Sequence, residues 1–316
     1  MKHILVTGSI AYDQLLSYDG SFLDAIDPQQ LQTLSVSFVT PRFVRHHGGT
    51  GANIAWNLKL LNQSPLLVGT VGADGGEYLS ILKERGIETR HIQTIADRAT
   101  STAILATDSG ERQIVFFHPG ADGHGSWQEN LAAERKDIAM AVISPRDVQK
   151  MMAGVDWCAE NAVPYIFDPG QQVMGFGRDE VMRAVRRSRA VICNEYEWQL
   201  LSERTGLSET SILESTPLLI VTRGEKGVYI HDQEGRLEIP ACTPDQVVNP
   251  TGAGDALRAG FLAGMAAGWD LLQCGRLGAA MGSFVVEQEG TLLSHLDLEG
   301  VRARVEKNYG EKMPTF

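Results

Sequence analysis

The sequence has few cysteines, a shortage of positive charge and no long apolar run, and each shortage excludes a class of protein. Its four cysteines form no Cys-x-x-Cys pair and no Cys/His ligand spacing, so neither a zinc site nor a disulfide framework is predicted. Lys and Arg total 28 against 39 Asp and Glu, a net charge of −11. That balance argues against a nucleic-acid partner, which needs a basic face to neutralise phosphates.

No apolar run approaches the roughly 20 residues that a bilayer-spanning helix needs. The first residues meet Gly8 and a polar segment too soon for a signal peptide, so we expect a cytoplasmic protein with no membrane partner. With 43% hydrophobic residues, the 316-residue chain can bury a sizeable core, which is typical of an enzyme.

Short apolar runs alternate with helix-length segments along the whole chain. The predicted strands are 3–9, 66–72, 138–144, 164–170, 190–194 and 218–224, and the clearest helices are 52–61, 77–86 and 146–162. Strand and helix alternating at this spacing predict an α/β fold with a mostly parallel sheet. Because no low-complexity linker divides the pattern, we expect residues 1–316 to form a single domain.

Two segments depart from this alternation. Residues 34–47 alternate apolar and polar side chains, and residues 101–120 predict a hairpin that turns at Asp108-Ser109-Gly110. We interpret them as a small β-sheet lid, with segments at about 14–47 and 98–122, folded over the ligand edge of the main sheet. Two ordinary edge strands are the alternative interpretation.

A glycine-rich loop opens a helix of small residues in the segment 249–268. Gly252, Ala253 and Gly254 are nearly free of side chain, so an anion could approach the unpaired amides at the helix N-terminus. Asp255 lies in the first turn, where it could take a proton from an attacking hydroxyl while the amides hold the developing charge. The alternative is an aspartate that caps its own helix.

A second glycine-rich segment, HHGGTGAN, begins at His46. Gly48 and Gly49 would admit a hydroxyl-rich ligand against the backbone, with the Asn53 amide bonding to its hydroxyls; a tight turn with a helix cap is the alternative. The segment is not a dinucleotide fingerprint, and no P-loop motif occurs in the chain.

Together the two segments resemble the two signatures of the ribokinase-like (PfkB) carbohydrate and nucleoside kinases. GGTGAN followed by glycines 69 and 72 resembles the N-terminal signature, and GAGD before a small-residue helix resembles the C-terminal one. Between them NEYE, from Asn194 to Glu197, fits the N-x-x-E motif, and TRGEKG, from Thr222 to Gly227, fits the T-x-G-x-x-G nucleotide loop. The motifs cover almost the whole chain in the family's order.

The resemblance implies a three-layer α/β/α sandwich with a small β-sheet lid, and an ATP- and Mg²⁺-dependent kinase. It makes Asp255 the general base and gives Gly252, Ala253 and Gly254 the anion hole. The substrate-binding residues that it implies are Asp13, Gly48, Gly49 and Asn53, to which we add Phe116 on the lid hairpin as the candidate that covers a base. The nucleotide-binding residues are Asn194, Thr222, Gly224, Gly227 and Gly282, and Glu197 would hold Mg²⁺ through water.

Two positions depart from the family pattern. Asn249-Pro250 stands where many members have Asp-Thr, which puts activation by a monovalent cation in doubt. Arg223 lies inside the nucleotide loop, where it either reaches an ATP phosphate or is a solvated turn residue. In this family an exposed lid sheet often pairs with a partner subunit, so the resemblance allows a homodimer through the lid.

The segments 116–121 and 287–295 resemble bacterial adenosine kinases and related nucleoside kinases of the family. Phe116 or Phe117 on the lid hairpin could cover a purine ring, although strand alternation lets only one of them face the ligand, and Tyr12 is a second candidate aromatic wall. The expected reaction is phosphorylation of the 5′-hydroxyl of adenosine or a related nucleoside. A kinase of ribose, fructose or a similar sugar is the alternative, and a non-catalytic ligand-binding relative is a third reading.

Overall fold

The computed structural model describes residues 2–26, 32, 35–127 and 131–316. The strands are β1 (His3–Thr7), β2 (Ala11–Ser17), β3 (Arg42–Gly48), β4 (Pro65–Gly72), β5 (Ile92–Ile95), β6 (Ser101–Thr107), β7 (Gln113–His118), β8 (Ile138–Ile143), β9 (Tyr165–Phe167), β10 (Ala190–Asn194), β11 (Leu219–Thr222), β12 (Val228–His231) and β13 (Arg236–Ile239). The helices are α1 (Phe22–Ala25), α2 (Thr50–Leu60), α3 (Gly76–Glu84), α4 (Leu131–Glu134), α5 (Val148–Glu160), α6 (Arg178–Arg187), α7 (Glu195–Thr205), α8 (Glu209–Leu213), α9 (Ala253–Ala266), α10 (Leu271–Val285) and α11 (Leu298–Tyr309).

Within the described residues the main sheet has nine strands in the order β13-β12-β11-β10-β9-β8-β1-β4-β5. Neighbours from β11 to β5 pair in parallel, whereas β12 and β13 add an antiparallel edge. The parallel strands are apolar on both faces because helices cover both faces. Their carboxyl ends therefore meet at one edge of the sheet, which is where ligands bind in open α/β folds.

Alternate residues of the central strands enter two separate cores. Ile4 and Val6 of β1 pack in a cluster with α2, α9, α10 and α11, whereas Leu5 packs on the opposite side with α5, α6 and α7. This period-2 alternation, with a helical layer on each face, is the three-layer α/β/α sandwich that the sequence predicts. Across the described chain, no helix combines the length and apolarity that crossing a membrane requires.

A second, four-stranded sheet stands at the carboxyl edge of the main sheet and forms the lid. Its order is β3-β2-β6-β7, with β2 and β6 parallel and the two outer pairs antiparallel. The hairpin of β6 and β7 turns through Asp108, whose carboxylate accepts hydrogen bonds from the amides of Gly110 and Arg112. A small β-sheet lid is thus present, as predicted from the two irregular segments.

The predicted elements of the main sheet are confirmed, but parts of the lid differ from the prediction. The alternation at 34–47 produces a strand only over Arg42–Gly48; residues 35–40 have no regular structure, and positions 27–31, 33 and 34 lie outside the described residues. The sequence prediction missed β2, which carries Asp13, because polar residues interrupt its apolar pattern. Helix α2 begins at Thr50, two residues before the predicted start at Ala52.

The start of α2 packs against the loop after β1, and the absence of a side chain at Gly51 allows this close approach. A Cβ at Gly51 would lie 2.7 Å from the carbonyl carbon of Gly8, which is backbone that cannot move aside. We expect Gly51→Ala to lower the free energy of unfolding by about 1–3 kcal/mol because the new methyl group overpacks the site. Urea unfolding followed by circular dichroism measures this loss.

Gly76→Ala in α3 is the matched control, because no atom lies within 4 Å of the added Cβ. This variant should be neutral or more stable by up to about 1 kcal/mol, since alanine restricts the unfolded chain. Equal urea midpoints for the two variants would contradict the proposed close approach of the two backbones.

Candidate active site

A pocket of about 270 Å³ lies between the carboxyl edge of the main sheet and the lid. The main domain lines it with Ser9, Thr50, Asn53, Gln171, Asn249, Thr251, Gly252, Asp255, Gly290 and Thr291, and the lid lines it with Asp13, Leu15, His46, Ala103, Leu105, Val115 and Phe117. The main-domain wall is therefore polar and carries the Asp255 carboxylate, whereas the lid wall is largely apolar apart from Asp13 and His46. Such a pocket suits a ligand with a hydroxyl-rich end and a flat apolar end.

Helix α9 points its N-terminus into this pocket. Gly252 precedes the helix with φ +87°, a conformation that favours glycine, and a Cβ there would lie 2.9 Å from the Thr291 side chain. The Ala253 amide donates weakly to the Pro250 carbonyl at 3.3 Å, whereas no described residue accepts from the amides of Gly252 and Gly254. The unpaired amides and the positive end of the helix dipole make this turn suited to an anion.

Asp255 lies in the first turn of α9 and faces the pocket, half-buried. Desolvation raises the pKa of its carboxyl from 3.8 to about 7, against the lowering effects of Arg258 and of a hydrogen bond from Asn53. The Asn53 Nδ2 group donates to Asp255 Oδ2 at 2.8 Å. A carboxylate with a pKa near 7 is well matched to accept a proton at neutral pH.

Thr291 connects the Asn53 side chain to a third segment of the chain. Its Oγ1 lies 2.8 Å from Asn53 Oδ1 and 3.0 Å from the His47 carbonyl, so the hydroxyl can donate to either. The contact with Oδ1 turns the amide nitrogen of Asn53 toward Asp255. Thr291 could not be identified from the sequence, because a single threonine in a loop carries no spacing signal.

Asp13 faces the pocket from the lid strand β2. Burial raises the pKa of its carboxyl to about 6. Gly48 on β3 lies directly beside it, and a Cβ at Gly48 would collide with Asp13 Oδ2. Gly49 follows with φ +92°, and a Cβ there would lie 2.6 Å from the Ser9 carbonyl. The absence of side chains at Gly48 and Gly49 therefore leaves space for the Asp13 carboxylate and for the start of α2.

The N-terminus of α2 is occupied by the protein itself. The amides of Gly51 and Ala52 donate to the Ser9 carbonyl at 3.0 and 3.3 Å, and the Thr50 amide donates to Ser9 Oγ at 3.1 Å. This helix start is therefore capped, whereas the α9 start has unpaired amides. Of the two glycine-rich segments, the loop at Gly252–Gly254 therefore offers an anion site of the predicted kind, and the segment that begins at His46 does not.

The N-x-x-E motif forms a reciprocal cap at the start of α7. The Asn194 side chain accepts from the Glu197 amide, and the Glu197 carboxylate accepts from the Asn194 amide, both at 2.8 Å. Glu197 is 9% exposed, and desolvation followed by the nearby Asp168 raises the pKa of its carboxyl. The motif thus places a partly desolvated carboxylate at the carboxyl end of β10.

The predicted nucleotide loop connects β11 and β12. Gly224 and Gly227 both have positive φ. A Cβ at Gly227 would collide with the Ile239 carbonyl, so the fold requires glycine at this position. Thr222 ends β11 beside them. Arg223 is neither extended toward a ligand nor freely solvated, because its Nη2 donates to Glu238 at 3.2 Å.

Gly282 lies on α10, where a Cβ would be 3.2 Å from the Ala253 carbonyl in the first turn of α9. The small residue lets α10 approach the unpaired amides closely. Its visible role is helix packing beside the anion site.

The lid aromatic that faces the pocket is Phe117, and the choice of Phe116 was wrong. Phe117 pairs with Ala103, which also lines the pocket, so the two share the inner face of the sheet. Phe116 is one residue away on the outer face and is 64% exposed. Tyr12 also lies away from the pocket, 1% exposed, and its ring packs against His47 and Tyr78.

A buried ion pair that no sequence motif marks lies behind Asp255. Arg258, one turn along α9, donates to both carboxylate oxygens of Asp168, which follows β9. Gln171 from the same loop lines the pocket. No motif could identify these residues, because their partners are distant in the sequence.

Comparison with known proteins shows the family of this chain. Residues 1–297 match the family model of the pfkB family carbohydrate kinases. The chain belongs to this family. It is therefore a phosphotransferase that uses a hydroxyl group as acceptor.

Similar proteins span nearly the whole chain. A nucleoside kinase of Methanocaldococcus jannaschii is 30% identical over 279 residues, which are 87% of this chain and 90% of that protein. The structure of Burkholderia thailandensis nucleoside kinase in complex with inosine has a TM-score of 0.86 and 32% identity, covering 99% of this chain and all of the other. The same enzyme in complex with ADP and inosine has a TM-score of 0.83 and 33% identity, covering 99% and 98% of the two chains.

The contact between Thr291 and Asn53 can be tested within this pfkB kinase. Thr291→Val removes the hydroxyl that turns the Asn53 amide toward Asp255, so we expect kcat/KM for the acceptor to fall by about 3- to 10-fold, the value of one hydrogen bond. Thr291→Ser keeps the hydroxyl and should stay within about twofold of wild type. Steady-state kinetics with the acceptor varied would contradict the contact if the two variants behaved alike.

Proposed function

We propose that the protein transfers the γ-phosphoryl group of ATP to the 5′-hydroxyl of adenosine or a related nucleoside, in a reaction that requires Mg²⁺. The observation that carries this proposal is the pairing, in one pocket, of a carboxylate whose pKa is raised to about 7 with unpaired amides at the same helix start. One group accepts the proton and the others hold the anion. Both are needed when a hydroxyl attacks a phosphoryl group.

In the proposed step, Asp255 accepts the proton of the 5′-hydroxyl as the 5′-oxygen bonds to the γ-phosphorus. The bond between that phosphorus and the β,γ-bridging oxygen breaks, and ADP leaves with the electron pair. The amides of Gly252 and Gly254 hold the transferred group, while Asp13 and Asn53 hold the ribose hydroxyls. The lid, which we treat as part of a single domain, closes over the pocket and excludes water, which otherwise competes as acceptor.

The residues near the proposed nucleotide site fit a magnesium ion that the phosphates and water hold for the most part. Glu197 offers a hard carboxylate ligand, one oxygen of which is engaged in the α7 cap. Within the described residues, no three His, Cys, Asp or Glu side chains are arranged to hold a metal by themselves. When bound, Mg²⁺ would neutralise charge on the phosphates.

The lid wall favours a nucleoside over a free sugar. Leu15, Leu105, Val115 and Phe117 present an apolar surface that a base can cover and a sugar cannot use. Relatives named nucleoside kinases, one of them solved with inosine, support the same choice. A ribose or fructose kinase is the second candidate, because the carboxylates and amides would serve a sugar equally well.

ATP-dependent phosphorylation of adenosine, inosine, guanosine, cytidine, ribose and fructose, each at equal concentration with Mg²⁺, tests the proposal. We expect the highest kcat/KM for one of the four nucleosides. Preference for ribose or fructose would overturn the nucleoside assignment and leave the chemistry at Asp255 intact. Absence of transfer to all six acceptors would overturn the proposed function.

Asp255→Asn tests the general base. The amide cannot accept the proton, so kcat should fall by about two to four orders of magnitude while the KM for ATP changes little. Asp270→Asn, an exposed cap of α10 away from the pocket, is the matched control and should retain wild-type kcat. Wild-type turnover by Asp255→Asn would rule out this residue as the base.

The raised pKa of Asp255 predicts the pH dependence. Burial stabilises the protonated form, so the carboxylate is lost as pH falls through about 7 and kcat/KM should decline below that value. The Asn53 hydrogen bond lowers this pKa, so Asn53→Ala should move the decline to higher pH. Initial rates from pH 5 to 9 measure this shift. If kcat/KM declined at a lower pH in Asn53→Ala than in wild type, the prediction would be contradicted.

We also propose a homodimer through the outer face of the lid. Phe43 and Phe116 lie on that face and are 58% and 64% exposed, a liability that a second copy of the sheet would cover. Light scattering after size exclusion should give twice the monomer mass. Phe116→Glu should give monomers, whereas Tyr196→Glu, at an exposed position on α7, should stay dimeric. A monomeric wild type would contradict the dimer.

For the monovalent cation we propose that none is needed. The Asn249 Oδ1 atom accepts from the Thr251 amide at 2.8 Å, so this side chain stabilises its own loop. The side chain carries no charge to attract K⁺, and its oxygen is engaged in this hydrogen bond.

A further inference from the structure

The ion pair between Arg258 and Asp168 is fixed in a way that surface pairs are not. Arg258 Nε and Nη2 donate to the two carboxylate oxygens of Asp168 at 2.6 and 2.7 Å, and Nη1 donates to the Gly254 carbonyl at 3.1 Å. Arg258 is 8% exposed and Asp168 is fully buried. The guanidinium therefore has one orientation, and it holds the backbone of the residue that precedes Asp255.

Stability alone is a poor explanation for this pair. Removing two charges from water costs several kcal/mol per ion, and apolar side chains of similar volume often stabilise a fold equally well. The pair also lies between functional groups. Its arginine belongs to the helix of Asp255, and its aspartate follows β9, the neighbour of the strand β10 that leads to Glu197.

The pair is oriented, with its positive end toward Asp255. After burial, Arg258 has the largest influence on the pKa of Asp255 and lowers it, ahead of the raising effect of Asp168. For Glu197 the order is reversed, because Asp168 has the larger influence after burial and raises the pKa. The other groups that face Asp255 are Asp13 from the lid, which raises its pKa, and the neutral side chains of Asn53 on α2 and Tyr78 on α3.

We propose that Arg258 is a positioning residue for phosphoryl transfer: held by Asp168, it braces the first turn of α9 through the Gly254 carbonyl and keeps Asp255 ionised. The inference rests on the proposed role of Asp255 as the base. Without the arginine, the carboxylates of Asp13, Asp168 and Asp255 would share one partly desolvated region, and Asp255 would hold its proton at neutral pH. The brace also holds the peptide group between Gly254 and Asp255, next to the unpaired Gly254 amide, so that less of this turn has to be ordered in each turnover.

Two neutralising substitutions separate this role from simple structural damage, because they should shift the acidic decline of kcat/KM in opposite directions. Arg258→Met removes the positive charge, so the acidic decline of kcat/KM should move up by about one pH unit. Asp168→Asn removes the negative charge and keeps a hydrogen-bond acceptor, so the decline should move to lower pH. Damage to packing alone would lower activity in both variants without shifts in opposite directions.

Arg258→Lys is the conservative control. It keeps the charge and loses the paired hydrogen bonds, so the decline should stay near the wild-type pH while kcat falls about 3- to 30-fold. This variant also preserves the test if Arg258→Met does not fold, since the Lys and Asn variants alone must then differ in the pH of their decline. Circular dichroism and ATP binding verify that each variant is folded.

The outcome distinguishes the inference from the function on which it rests. If Asp255→Asn abolishes the decline but neither Arg258→Met nor Asp168→Asn moves it, Arg258 has no such role and the base assignment stands. If Asp255→Asn turns over like wild type, the base itself is wrong. Opposite shifts in the two variants, with the decline absent in Asp255→Asn, are the result that the inference requires.

Discussion

The hydrogen bond from Asn53 to Asp255 joins two helix starts that are 202 residues apart in the sequence, and the arrangement of the site depends on it. It holds the capped start of α2 against the open start of α9 at the carboxyl edge of the sheet. Each helix reaches this position because small residues allow it: Gly51 lies against Gly8, and Gly282 lies against Ala253. The carboxylate is thereby removed from water far enough for its pKa to rise to about 7.

The two helix starts have different functions, because the backbone amides are occupied at the start of α2 and unpaired at the start of α9. Ser9 occupies the amides of α2, so that end can only position Asn53, whereas the amides at Gly252 and Gly254 have no acceptor among the described residues. A ligand anion can therefore complete the hydrogen bonds of α9 alone. The lid supplies the opposite wall, with Asp13 for hydroxyl groups and Phe117 for a flat apolar ring.

Local patterns predicted six of the nine described strands of the main sheet, the lid hairpin and the residues around Asp255, because alternation and glycine-rich loops are properties of short segments. What they could not predict depends on partners distant in the sequence. Asp168 and Arg258 act on each other across 90 positions and Thr291 acts on Asn53 across 238, and nothing beside them in the chain marks these contacts. The choice of Phe116 over Phe117 failed for a related reason: alternation gives two faces, and only the register against Ala103 tells which face is inner.

The most direct test of the account is the position of the phosphoryl group in the product. Asp255 and the α9 amides act together only if the hydroxyl beside them attacks, while Asp13 and Asn53 hold the ribose hydroxyls. Coupling between ³¹P and the ribose protons in the NMR spectrum of phosphorylated adenosine locates the new bond. The account predicts coupling to the two 5′ protons; coupling to the 2′ or 3′ proton would contradict it.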